Sequence, residues 1–188
     1  MVQILTVPNL LTGYRFAVVP ILLLCFSVGP GKWLSLTAFF IFLSAALTDL
    51  ADGYYARKFQ SESVLGKLMD PLADKVLVVT PLVMLIPLGL IPAWVSLLII
   101  AREIVITGLR ALAACSGIVV AASGLGKIKS ILQYTALCIL IFPAGLLPIP
   151  FLHEGGRLVL YLSLVLTLWS GLEYMRRFQK IYLNPDGR

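Results

Sequence analysis

The sequence predicts an all-α integral membrane protein with six transmembrane helices and both termini on the cytoplasmic side. Of its 188 residues, 60% are hydrophobic and only 13% charged, about half the charge of an ordinary soluble domain. Mean hydropathy is +0.98. A soluble fold of this length could not hide so much apolar surface, whereas six spans of about 20 residues would use it well. The basic residues gather in the connectors on one side of those spans, which is a topology signal.

The first apolar segment runs from about Leu5 to Val28 and stops at Gly29, Pro30 and Gly31, a cluster that favours a turn outside the hydrocarbon. It outruns the apolar core of a signal peptide and no clean small-residue cleavage site follows, so it is expected to be retained. The second segment covers about Trp33 to Ala56, and the third begins near Asp70 and Pro71 and reaches Pro87. Pro71 is tolerated there because a first-turn residue has no helical partner for the missing N–H. Pro92 opens the fourth segment in the same way, reaching Ala114. A connector of small and polar residues follows, then a fifth segment from about Ile128 to Leu147 and a sixth from Gly156 to Tyr174.

Six spans place both ends of the chain on one side. The connectors after segments two and four and the C-terminal tail hold Arg57, Lys58, Lys67, Lys127, Lys129, Arg176, Arg177, Lys180 and Arg188, against Lys32 and Arg157 opposite. The positive-inside rule therefore predicts a multi-pass protein of the cytoplasmic (inner) membrane, with its active site facing the cytoplasm. The net charge of +6 is spread over these connectors, so no nucleic-acid partner is expected. Anionic membrane lipids are. Cys25, Cys115 and Cys138 are widely spaced in or beside apolar runs, a pattern that supports neither a disulfide framework nor a zinc site. Residues 1–188 read as a single membrane domain.

Four of the five aspartates, Asp49, Asp52, Asp70 and Asp74, fall in one stretch. A carboxylate in or at the edge of a bilayer costs on the order of 2.5 to 3.5 kcal/mol, and four together repel, so they call for cations. Asp49 and Asp52 are spaced i, i+3 at the end of one helix, and Asp70 and Asp74 i, i+4 at the start of the next, so an antiparallel pair could aim all four at one point. An oxygen-only donor set favours a hard ion, Mg²⁺ or Mn²⁺, that keeps sites for substrate phosphates. Gly53 leaves room for a ligand at the backbone, and Arg57 shares the aspartates' face, where it can clamp a phosphate. The alternative is an Asp and Arg network that only locks the helices together.

Asp49, Asp52, Gly53, Ala56, Arg57, Gly66, Asp70 and Asp74, eight positions within 26 residues, resemble the signature of the CDP-alcohol phosphotransferase family. That family moves a phosphatidyl or similar group from a CDP-linked donor to an alcohol and releases CMP. The resemblance implies that Asp49, Asp52, Asp70 and Asp74 hold two divalent ions, that Gly53, Arg57 and Ser63 contact the CDP moiety, and that Asp74 is the general base. It also implies a homodimer. The chemistry agrees, since a pyrophosphate leaving group needs its charge neutralised and a hydroxyl nucleophile needs its proton accepted.

The likeness extends over nearly the whole chain. It begins with Pro8 to Arg15, in which Asn9, Thr12 and Arg15 recur along roughly one helical face. In the family this helix borders the nucleotide, so Asn9 and Thr12 are expected to contact CDP. The alternative makes them helix caps, with Arg15 reaching lipid phosphates. In the fourth segment Arg102, Ile106 and Arg110 share a face, and Lys127 and Lys129 follow the next connector. These four basic residues suit an acceptor that is itself a phosphate ester.

With Gly126, Gln133 and the run from Leu166 to Ser170, they resemble the branch of the family that joins CDP-diacylglycerol to sn-glycerol 3-phosphate. Lys127 and Lys129 can equally mark the cytoplasmic side and touch lipid. Two rival functions stand beside this one. One is a sister transferase using inositol phosphate, serine or phosphatidylglycerol. The other is a divalent-cation transporter, which leaves Gly53, Ala56, Arg57 and Gly66 unexplained.

Overall fold

The computed structural model describes residues 7–29, 31–59, 64–115 and 125–183, with side chains described throughout these except at 7–9, 49–59, 64–68, 70–71, 125 and 182–183. Every regular element among the described residues is helical: α1 (Val7–Ser27), α2 (Lys32–Phe59), α3 (Val64–Met84), α4 (Ala93–Cys115), α5 (Leu125–Ile141) and α6 (Leu152–Leu183).

Contacts between elements give their directions. Trp94 stacks on Tyr161, and farther along the same two helices Arg110 lies over the Tyr174 ring, so α4 and α6 run parallel. Phe39 meets Phe142 and Phe42 meets Tyr134, so α2 and α5 run antiparallel. The helices thus alternate in direction. The beginnings of α1, α3 and α5 share one end of the bundle with the ends of α2, α4 and α6. Helix α1 packs on α2 and α3, and α6 packs on α4 and α5.

The core is built from Leu22, Phe42, Leu77, Leu82, Ile99 and Leu137, among others. Apolar side chains also cover the outside: Leu10, Phe40, Leu97, Ile104, Val165 and Trp169 are all exposed. A water-soluble bundle would present polar residues there. Leu10–Ser27 and Leu152–Ile181 are long and apolar enough to cross a membrane.

The helix bounds depart from the sequence expectation in three places. Helix α3 starts at Val64, six residues before Asp70, which puts Pro71 inside the helix and not in its first turn. One backbone hydrogen bond is thereby lost, but Leu65, Lys67, Leu68 and Met69 are strong helix formers that carry the helix through. Helix α5 stops at Ile141 and not near Leu147. Pro143 disfavours helical backbone in the residue before it, and Gly145 takes φ 76° in the turn that follows. Helix α6 extends from Leu152 to Leu183, well past the expected Gly156 to Tyr174. Phe151, at φ 60°, turns the chain, and its carbonyl accepts from the Gly155 N–H at 3.0 Å to begin the helix.

Candidate active site

Asp49, Asp52, Gly53 and Arg57 lie in the last turns of α2, and Asp70 and Asp74 lie in α3, which packs against α2. Of these six, only the Asp74 side chain is among those described. Ser63 lies outside the described residues, and Asn9 is placed in the first turn of α1 by its backbone alone. By residue type the four aspartates of these two helices offer only oxygen donors, the kind a hard divalent cation takes.

Asp74 forms an ion pair with Arg15 of α1, whose side chain is 1% exposed. An arginine buried this deeply in an apolar helix needs a carboxylate, and the parallel packing of α1 and α3 supplies one. Thr12, one turn earlier in α1, is buried too. Alongside, Tyr14 and Ser44 join their hydroxyls at 2.6 Å, tying α1 to α2.

Asp74 also borders a cavity of about 530 Å³ between α3, α4 and α5. Its walls bring Arg102 and Arg110 of α4 together with Lys127 and Lys129 of α5, the four basic residues expected to meet an acceptor phosphate. They differ in how they are held. Arg102 donates from Nε to the Thr167 carbonyl at 3.0 Å, from one terminal nitrogen to Ser170 Oγ at 2.9 Å, and from the other to Glu103 Oε1 at 2.8 Å. Its guanidinium is therefore spent largely on α6 and on its own neighbour. Gly171 makes this route possible, since a Cβ there would lie 3.2 Å from both Cγ and Nε of Arg102.

Lys129 is buried and pairs with Glu103. Arg110 and Lys127 are exposed, and the Arg110 guanidinium sits 5.5 Å above the Tyr174 ring centre, a cation–π contact that steadies it.

Three further polar residues line the cavity to which the sequence assigns no part in the site, although Gln133 is among those that carry the family likeness. Lys75 follows Asp74 and lines the same wall; its signal is a charge four residues after Pro71 in an apolar run. Glu103 carries a charge in the middle of α4, next to Arg102. Gln133 is buried, and its side-chain nitrogen has no hydrogen-bond partner among the described residues.

Fold and cavity together define a helical membrane protein with a charged internal site suited to phosphorylated ligands. A model of the CDP-alcohol phosphatidyltransferase family matches residues 5–169. CDP-diacylglycerol–glycerol-3-phosphate 3-phosphatidyltransferase of Bacillus subtilis is 38% identical over 185 residues, covering 90% of this chain and 93% of that one. The protein of the same name from Rickettsia felis is 35% identical over 175 residues, covering 93% and 96%. Cardiolipin synthase (CMP-forming) of Oryza sativa is 37% identical over 204 residues, covering 96% of this chain and 60% of that one. The chain belongs to the CDP-alcohol phosphatidyltransferase family and is an enzyme of that class.

Proposed function

We propose that the protein transfers the phosphatidyl group of CDP-diacylglycerol to sn-glycerol 3-phosphate, giving phosphatidylglycerophosphate and CMP. The observation that carries this reading is the cavity, where Asp74 faces a wall of arginine and lysine side chains. A dianionic acceptor needs such a wall, and its hydroxyl needs a carboxylate within reach. The names of the Bacillus and Rickettsia relatives support the same pair of substrates.

In this reading Asp49, Asp52, Asp70 and Asp74 hold two Mg²⁺ ions, with Mn²⁺ as an alternative. Such ions would supply positive charge for the donor pyrophosphate and for departing CMP. Gly53, Arg57 and Ser63 hold the CDP moiety, with Asn9 and Thr12 of α1 beside it. Arg110, Lys127 and Lys129 hold the acceptor phosphate, and Arg102, fixed to α6, completes the same wall. Asp74 accepts the proton of the acceptor's 1-hydroxyl. The oxygen so released bonds to the phosphorus bearing diacylglycerol, and the bond from that phosphorus to CMP breaks. Arg15 orients the Asp74 carboxylate throughout.

The protein would span the cytoplasmic membrane six times as one domain, with both termini and the site on the cytoplasmic side, and would act as a homodimer. The apolar exterior of the bundle and the basic residues at the site's end support that arrangement.

A second reading has a specific observation behind it. The rice cardiolipin synthase is 37% identical to this chain, so phosphatidylglycerol is the competing acceptor. The test is CMP release by purified protein with CDP-diacylglycerol and Mg²⁺, offering glycerol 3-phosphate, phosphatidylglycerol, inositol phosphate or serine. Release with glycerol 3-phosphate is expected. Release only with phosphatidylglycerol would move the protein to the cardiolipin-forming reaction, and metal flux without CMP release would make it a transporter.

A further inference from the structure

The cavity that should attract a phosphate also contains a second carboxylate, Glu103. In isolation this is a liability, because it would repel a dianionic acceptor. Its contacts give it a different meaning. One oxygen, Oε1, accepts from both the Arg102 guanidinium and the Lys129 ammonium, and the carboxylate is only 22% exposed. The trio keeps a net charge of +1.

Arg102 is already fixed to α6 through Thr167 and Ser170. Glu103 is fixed in turn by Arg102, and Lys129 is fixed by Glu103. Lysine has a long flexible stem and a strongly hydrated head. Two cations brought together in a poorly solvated wall repel strongly unless a carboxylate lies between them. Without Glu103, Lys129 would swing away from Arg102 toward water.

We propose that Glu103 is the positioning residue of the acceptor site, holding Lys129 at the cavity wall by bridging it to the α6-anchored Arg102. This rests on the reading of the cavity as the site of an acceptor phosphate. Glu103 does not touch the reacting atoms; it acts through Lys129.

The experiment is steady-state CMP release with CDP-diacylglycerol and glycerol 3-phosphate varied separately, on wild type, Glu103→Gln, Glu103→Asp, Lys129→Met and the Glu103→Gln/Lys129→Met double variant. Arg157→Gln, at the opposite end of the bundle, is the control. Glu103→Gln is nearly isosteric, and thermal unfolding in detergent checks its fold. The expected result is a rise of about tenfold in KM for glycerol 3-phosphate, the scale of one charge-assisted hydrogen bond. KM for CDP-diacylglycerol and kcat should stay within about twofold. Glu103→Asp, which keeps the charge, should fall between wild type and Glu103→Gln. The double variant should be no worse than Lys129→Met alone, since Glu103 has no other route to the acceptor.

Equal rises in both KM values, a lowered unfolding temperature with an unchanged acceptor KM, or additive losses in the double variant would each make Glu103 a strut between helices and overturn the proposal. Wild-type protein that releases no CMP with glycerol 3-phosphate would refute the reaction itself. Release by wild type together with an unaltered Glu103→Gln would refute the role of Glu103 alone.

Discussion

Gly171 offers a sharp test of how the α4 and α6 interface holds the site. Replacing an ordinary helix-interior glycine by alanine stabilises by about 0.5 to 1 kcal/mol, because the unfolded chain loses freedom and the helix gains a good former. Gly171→Ala should do the opposite. The new Cβ would stand 3.2 Å from Arg102 Cγ and Nε, closer than ordinary van der Waals contact. Arg102 must then move by a few tenths of an ångström, away from the helix that holds the Thr167 carbonyl and Ser170 Oγ. Those two hydrogen bonds, at 3.0 and 2.9 Å, are charge-assisted and contribute about 1.5 to 3 kcal/mol each when intact.

Weakening both by half outweighs the propensity gain and leaves a net loss of roughly 1 to 2 kcal/mol. For a chain of this size that lowers Tm by about 2 to 8 °C. Gly108→Ala is the matched control: it lies on an exposed face of α4, with nothing within 4 Å of its Cβ, and should be neutral or slightly stabilising. The assay is thermal unfolding of both variants in the same detergent. A Gly171→Ala protein as stable as wild type or more so, with Gly108→Ala behaving alike, would show that Arg102 is not clamped against α6 as described.

Other outcomes follow from the same geometry. Asp74→Asn should reduce CMP release by at least about a hundredfold, as expected for loss of a general base, in protein that elutes as wild type on size exclusion; near-normal turnover would remove Asp74 from that role. Gly156→Ala should destabilise more than Gly171→Ala, because its Cβ would meet the Ile139 side chain at 2.9 Å and that of Leu140 at 3.0 Å; unchanged Tm would show that α5 can shift. Arg15→Met should destabilise by about 1 to 2 kcal/mol, since the Asp74 carboxylate it leaves unpaired is 37% exposed and partly solvated, and Arg15→Met/Asp74→Asn should recover much of that loss in thermal unfolding. Chelation of divalent ions should abolish CMP release and Mg²⁺ should restore it; activity persisting in excess chelator would exclude a metal-held pyrophosphate.

Much of this protein is legible in its sequence for a physical reason. Apolar runs near the length of a bilayer crossing form helices because backbone polar groups in lipid have no other partner. The spacing of Asp49, Asp52, Asp70 and Asp74 is a local property of two neighbouring helices, so the family can be read before any packing is known. Sequence also places Arg102, Arg110, Lys127 and Lys129 in one group, because α4 and α5 are adjacent in the chain and antiparallel.

Tertiary structure decided the rest. In an apolar bundle, hydrophobicity does not separate the face that meets lipid from the face that meets a neighbouring helix. Leu22 is fully buried and Leu24 is 65% exposed within one apolar run of α1, and nothing in the run distinguishes them. The partner of Arg15 is Asp74, far along the chain, because α1 and α3 pack in parallel. Arg102 reads as a phosphate ligand by charge alone, yet most of its donors go to Thr167 and Ser170 on α6 and to Glu103. Glu103 reads as an unexplained acid in an apolar helix until Lys129 meets it from α5. Charge and spacing determine which chemistry the chain can perform; the packing of distant helices determines which of its charged groups remain available to substrate.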